Sequence, residues 1–108
     1  MSQRGITPKY DGVTRAGLAL YEERLAIYSR DGGRCQSCGE MVDINLFTVA
    51  HKIADTKAFR HKYGARVIDH RLNKATTHAG NCNDAQNIGN NPGKCAELIR
   101  RIEEAENG

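Results

Sequence analysis

Long apolar runs are missing from this chain. None approaches the roughly 20 residues that a membrane-spanning helix needs, so no membrane partner is expected. The opening residues, MSQRGITPKYDG, hold no apolar signal core, which argues against secretion. There is no internal repeat and no low-complexity segment. Proline occurs only at Pro8 and Pro92, so each marks a specific break. A large excess of one charge is absent too. The formal net charge is +3 and the pI about 8.8. That balance suits an ordinary solvated surface and is also compatible with nucleic-acid binding, because phosphate contacts come from Lys and Arg.

At 108 residues, 39% hydrophobic and 27% charged, the composition is that of one ordinary soluble domain. It can bury only a small core, and a bound metal would add stability. There are four cysteines. Without a secretory signal a reducing compartment is expected, which favours metal binding or free thiols over disulfides.

Residues 1 to 13 read as a flexible arm, broken by Gly5, Pro8 and Gly12. A single domain then runs from 14 to 108. Thr14 is a good N-cap, and Leu18, Tyr21, Leu25 and Tyr28 recur at helical spacing. A helix over about 15 to 29 follows, with that stripe as core. Asp31-Gly32-Gly33 ends it in a turn. Met41 to Ala50 is β-branched and partly alternating, so it reads as a strand ending at His51. Residues 54 to 66 are polar and basic, a short helix or a long loop. Val67-Ile68 reads as the start of a second strand. Asp84 to Ile88 reads as a helix entered near Cys82. Asn91 can cap, and Pro92 can open, a last helix to about 105, with Cys95, Leu98, Ile99 and Ile102 as its apolar face.

The sharpest motif is Cys35-Gln36-Ser37-Cys38-Gly39. Cys-x-x-Cys followed by Gly reads as a zinc knuckle. The tight turn aims two thiolates at one point, and Gly permits positive φ. A redox reading needs a thioredoxin-like context, which is absent. A closed tetrahedral site needs two more ligands. His78 and Cys82, four apart, can face one point across a helix start, so Cys35, Cys38, His78 and Cys82 are the favoured structural Zn²⁺ ligands. The competing quartet replaces His78 with Cys95. That cysteine lies on the apolar stripe of the last helix and reads better as a small buried hydrophobe.

Several segments together carry a family resemblance. YSRDGGRCQSCG at 28 to 39, VAHKI around His51, Asn73, and Cys82-Asn83 opening a helix are similar in order and spacing to the HNH endonucleases of the His-Me finger (ββα-metal) class. The resemblance covers about residues 24 to 90. It implies an α+β fold: a ββα-metal core with a structural zinc knuckle and flanking N- and C-terminal helices. It also implies a metal-dependent DNA endonuclease in a cytoplasmic, bacterial or phage setting.

In such an enzyme His51 would be the general base that activates water, and Asn73 would hold the His51 region in place. A catalytic Mg²⁺ or Mn²⁺ would bind the scissile phosphate, with the side-chain carbonyl of Asn83 as first ligand candidate and Asn87 as second. The chain departs from the family pattern at two places. Ala50 stands where many members carry Asp or His as a metal ligand, and three residues rather than two separate His78 from Cys82. His70, then Asp69 or Asp84, could replace the missing ligand.

One active site cuts one strand, so a monomer or weak homodimer that nicks DNA is expected. The basic stretch from Lys52 to Lys74 would face DNA, mainly through phosphates. The alternative is a non-catalytic, zinc-ribbon-like module that binds nucleic acid or protein and leaves His51 without a role.

Overall fold

The computed structural model describes residues 15 to 107; the expected arm at 1 to 13 lies outside them. The fold is small and α+β. Helix α1 (Arg15–Arg30) is followed by a knuckle loop, strand β1 (Thr48–His51), helix α2 (Lys57–Tyr63) and the short helix α3 (Ala65–Ile68). A single 3-10 turn (Arg71–Asn73) leads into strand β2 (Lys74–Thr77), the one-turn helix α4 (Asn81–Asp84) and helix α5 (Pro92–Asn107). No described helix is long and apolar enough to cross a membrane.

The two strands pair antiparallel, with Thr48 opposite Thr77, Val49 opposite Thr76, Ala50 opposite Ala75 and His51 opposite Lys74. Side chains alternate between faces along a strand. Val49, His51, Lys74 and Thr76 therefore share one face. That face turns toward α1: the Thr76 hydroxyl donates to Ile27 O, and Lys74 Nζ pairs with Glu23 at 2.7 Å. Thr48 and Ala50 share the other face, where Asn83 of α4 reaches the Thr48 hydroxyl.

The outer edge of β2 would expose unpaired backbone groups, a liability in any sheet. It is covered here by three neighbours. Thr76 N donates to Asp31 Oδ2, Gln36 N donates to Thr76 O, and Arg30 Nη2 donates to Lys74 O. Asp31 thus does more than end α1. Burial works against its charge, but Arg30 and the Thr76 donors hold its carboxyl below the usual value.

Two apolar clusters flank the hairpin. The larger joins Ile53, Val67, Ile68, Cys95, Leu98 and Ile102; the smaller joins Cys35, Val42 and Phe47, with Tyr28, Val49 and Cys82 packed on it. A fully buried Ile contributes roughly 2–3 kcal/mol, so Ile53, Ile68 and Ile102 anchor the larger cluster. The last helix forms as expected, and Asn91 Oδ1 caps it by accepting from Lys94 N at 3.1 Å. Helix α2 is capped likewise by Thr56, whose hydroxyl accepts from Phe59 N.

Four local expectations change. The strand expected over Met41 to Ala50 is confined to its end, because Asp43 Oδ1 accepts from Asn45 N and bends residues 44 to 46 into a turn. Met41 makes only an isolated bridge to Arg34, which frames the knuckle. Val67 and Ile68 are helical, not extended: both are buried in the larger cluster, and that tertiary packing overrides their β preference. The expected α1 stripe is only partly core. Leu18 and Tyr21 are exposed and Ile27 is the buried residue, since only the C-terminal half of α1 meets the hairpin. Finally, the helix after Cys82 is one turn long. Ile88 N donates to Lys52 O, which draws the chain out of helical register before Asn87.

Candidate functional site

Cys35, Cys38, His78 and Cys82 converge, with their ligand atoms all within 4.8 Å of one another. This is the one such Cys/His/carboxylate group among the described residues. The knuckle is built by the local sequence. Gly39 takes φ +83°, Gly39 N donates to Cys35 O, and the Ser37 and Cys38 amides point at Cys35 Sγ at 3.4 and 3.5 Å. Gly80, at φ +80°, turns the chain so that Cys82 follows His78 back to the same point. Ser37 then links the two halves: its hydroxyl donates to Cys82 O at 2.6 Å and receives Gln86 Nε2 at 2.7 Å.

The donor set fits a tetrahedral zinc. Bonds of about 2.3 Å to sulfur and 2.0 Å to nitrogen imply a sulfur–nitrogen separation near 3.5 Å, and Cys38 Sγ lies 3.5 Å from His78 Nδ1. Electrostatics agrees. Burial would push the Cys35 thiol up, but backbone donors from Cys38, His78 and Ser37 bring it down to about 6. Cys82 is pushed up to about 11, chiefly by Cys35, with burial and Cys38 adding to it. Crowded thiolates of this kind are relieved by a bound dication. Cys95 is not among them. It is buried in the larger cluster and its thiol donates to Ile88 O.

The second candidate site lies at the end of the hairpin where the connection 52–73 leaves and returns. His51 closes β1 and is half-buried. Burial and the Lys74 ammonium lower its pKa from the usual 6.5, opposed in part by Asp55 and Asp69. Asn73 is fully buried beneath this end. Its Oδ1 accepts from Ile53 N at 2.8 Å, and its Nδ2 donates to Ile53 O and Ile68 O, both at 3.0 Å. Its own carbonyl accepts from Lys52 N. The amide therefore ties the segment just after His51 to α3 and to the entry of β2.

The remaining residues divide. Asn83 Nδ2 makes only a long 3.5 Å contact with the Thr48 hydroxyl, which leaves its carbonyl oxygen available. Asn87 Oδ1 accepts from Gly89 N at 2.8 Å, so this side chain serves its own turn. His70 is not on a strand: it precedes the 3-10 turn, and its Nδ1 accepts from Leu72 N at 3.1 Å. That bond places the ring proton on Nε2 in the neutral form, so His70 offers a donor rather than a second lone pair. It helps line a cleft of about 520 Å³ with Glu23, Arg30 and Arg71. Asp69 is tied to Arg60, as is Asp55, and Asp84 is exposed. Ala50 is buried at 1% exposure.

The basic stretch is less free than its composition suggests. Arg60 lies between Asp55 and Asp69, Arg66 between Glu103 and Glu106, and Lys74 pairs with Glu23. Among the described residues, Lys52, Lys57, Lys62 and Arg71 carry no ion pair. Two residues that sequence reasoning passed over belong with them. Arg101, on α5, lines a pocket with Lys52, and Glu23 holds Lys74. No local signal marks either pairing, because 49 and 51 residues separate the partners.

Compared with protein-family models, curated proteins and solved structures, the chain gives no match.

Proposed function

We propose that this chain is a metal-dependent endonuclease of the HNH (ββα-metal) type that hydrolyses phosphodiester bonds in DNA. The observation that carries this reading is Asn73. A fully buried amide spends its oxygen and its nitrogen on the backbone of Ile53, two residues after His51, and on Ile68 O of α3. The amide that helps hold the fold thereby also fixes the segment that follows His51. The order supports it as well: strand, helical excursion, strand, short helix, with His51 ending the first strand and Asn83 near the start of the helix.

In this reading His51 stays neutral at neutral pH and takes a proton from the attacking water. Lys74, opposite it, favours the neutral ring and is itself neutralised by Glu23. Asn73 positions. The Asn83 carbonyl would hold a Mg²⁺ or Mn²⁺ ion together with waters. Such an ion, when bound, supplies charge stabilisation at the scissile phosphate and the leaving 3′ oxygen. Zinc at the quartet would be structural, fixing the helix start that presents Asn83. A monomer would nick one strand.

The rival reading, a non-catalytic zinc-ribbon-like module, has two observations in its favour: Ala50 brings no ligand to the face where Asn83 lies, and His51 points to the opposite face of the hairpin. The two are separated by incubating zinc-loaded protein with supercoiled plasmid and Mg²⁺ or Mn²⁺. The nuclease reading expects relaxed circles from wild type and none from His51→Ala. An inert wild type, or a His51→Ala variant that cuts equally well, would sink it and leave the binding module.

A further inference from the structure

Beside the end of the hairpin that carries His51 and Lys74 lies a second, smaller pocket of about 250 Å³. Ala75 and Leu72 contribute to its lining, with Lys52, Lys74 and Arg101 around it and Arg30, Asp31 and Gln36 at its side. The charges do not balance. Arg30 is clamped bidentately on Asp31, and Lys74 on Glu23. Gln36 spends its amide on Arg34 O. Lys52 and Arg101 form no ion pair among the described residues; the acids that act on them, Asp31 and Glu97, are already bonded to Arg30 and Arg100, so the two cations share one recess with little to neutralise them. Gathering like charges costs free energy unless an anion occupies the space between them.

We propose that this pocket binds a phosphate group, and that the group is a non-scissile phosphate of the nucleic-acid backbone. Lys52 and Arg101 supply the charge, and Arg30 sets the pocket's rigid side through its bonds to Asp31, Arg71 O and Lys74 O. Lys52 answers an anion well for a further reason. It is half-buried, and burial together with Arg101 and Arg30 depresses its pKa, against which Asp31 is the sole opposing acid. A phosphate would relieve that strain. Because Lys52 follows His51 directly while its neighbour in sequence ends β1, a backbone phosphate held here would set the register of the strand relative to the imidazole. Only the source of the phosphate rests on the nuclease reading; the pocket's demand for an anion does not.

The test uses zinc-loaded full-length protein without added Mg²⁺. Amide resonances are followed during titration with inorganic phosphate, and affinity for a short DNA duplex is measured at several salt concentrations. Variants are Lys52→Gln with Arg101→Gln, Lys52→Arg as the charge-preserving rescue, and Lys94→Gln as an exposed control outside the pocket. Phosphate should shift Lys52, Leu72, Ala75 and Arg101 in wild type but not in the double variant. The double variant should bind DNA about tenfold more weakly, with a salt slope smaller by about 0.9, the share of one phosphate. Lys52→Arg and Lys94→Gln should bind as wild type. Unchanged DNA affinity and slope in the double variant would overturn the backbone assignment, even if free phosphate still shifts the pocket. Equal displacement of phosphate by poly-glutamate would overturn it in favour of an acidic protein partner. If the slope falls as expected while wild type never cuts plasmid, the pocket stands and the nuclease reading alone fails.

Discussion

Replacing Asn73 is the most direct probe of the hairpin site, and its cost can be worked from the structure. The side chain makes three hydrogen bonds to backbone atoms, at 2.8, 3.0 and 3.0 Å, from a position with no solvent exposure. Each is worth about 1 kcal/mol net, and the orphaned Ile53 N–H adds roughly another 1 kcal/mol of unrecovered desolvation. Asn73→Ala should therefore lose about 4 kcal/mol, a large share of the roughly 5–15 kcal/mol of a typical domain. For a chain of 108 residues the entropy of unfolding converts that loss to a fall of about 15–20 °C in Tm.

Asn73→Asp sharpens the argument. It keeps an oxygen for Ile53 N but turns a second oxygen toward the carbonyls of Ile53 and Ile68. That repulsion raises the folded-state pKa of the new carboxyl above its unfolded value. The penalty is then full above the folded pKa and shrinks as pH falls through it. Urea unfolding at pH 7.5 and pH 5, with excess Zn²⁺ throughout, should show Asn73→Asp recovering stability toward wild type at the lower pH while Asn73→Ala does not. A loss below about 1 kcal/mol for Asn73→Ala would mean that the loop satisfies its own backbone without the amide. The stapling argument, and with it the main support for the nuclease reading, would then fail.

Four further outcomes can be checked. One zinc per chain is expected by elemental analysis for wild type and Cys95→Ser, and none for His78→Ala; zinc retained without His78 would show that the quartet is misassigned. Chelation of that zinc should unfold the small cluster of Cys35, Val42 and Phe47 first, seen as early loss of amide protection there. The pH–rate profile for plasmid nicking should fall on its acid side with a midpoint below 6.5, because burial and Lys74 lower the pKa of His51 and the base works only when neutral; a midpoint above 6.5 would exclude His51 in this setting. Ala50→Asp should be destabilised in metal-free buffer by about 2 kcal/mol or more, since it buries a carboxylate, and should regain that stability in millimolar Mg²⁺; no Mg²⁺-dependent recovery would separate position 50 from any metal beside Asn83.

Much of the zinc quartet was legible before the fold, because each pair of ligands is local. Cys35 and Cys38 share one turn, and His78 and Cys82 share another. Spacing of three or four residues constrains geometry by itself. The stripe on α5 and its Asn91 cap were legible for the same reason: periodicity and capping are properties of neighbours in sequence. Asn87 shows the limit. It was placed one helical turn beyond Asn83, yet Ile88 is pulled to Lys52, 36 positions away, and that long-range bond ends the helix early. Val67 and Ile68 show it again. Their strand preference yields to a shared core with Leu98 and Ile102.

What the sequence alone determined, then, is chemistry held by short-range spacing: a Cys/His metal set, a histidine ending a strand, a capped last helix. What only the tertiary structure decided is which charges remain unanswered. Arg66 and Lys74 looked like part of a basic edge and are neutralised by acids from α5 and α1, while Lys52 and Arg101, 49 residues apart, are left facing one pocket. Charge balance depends on distances across space, and the order of residues along a chain does not carry them.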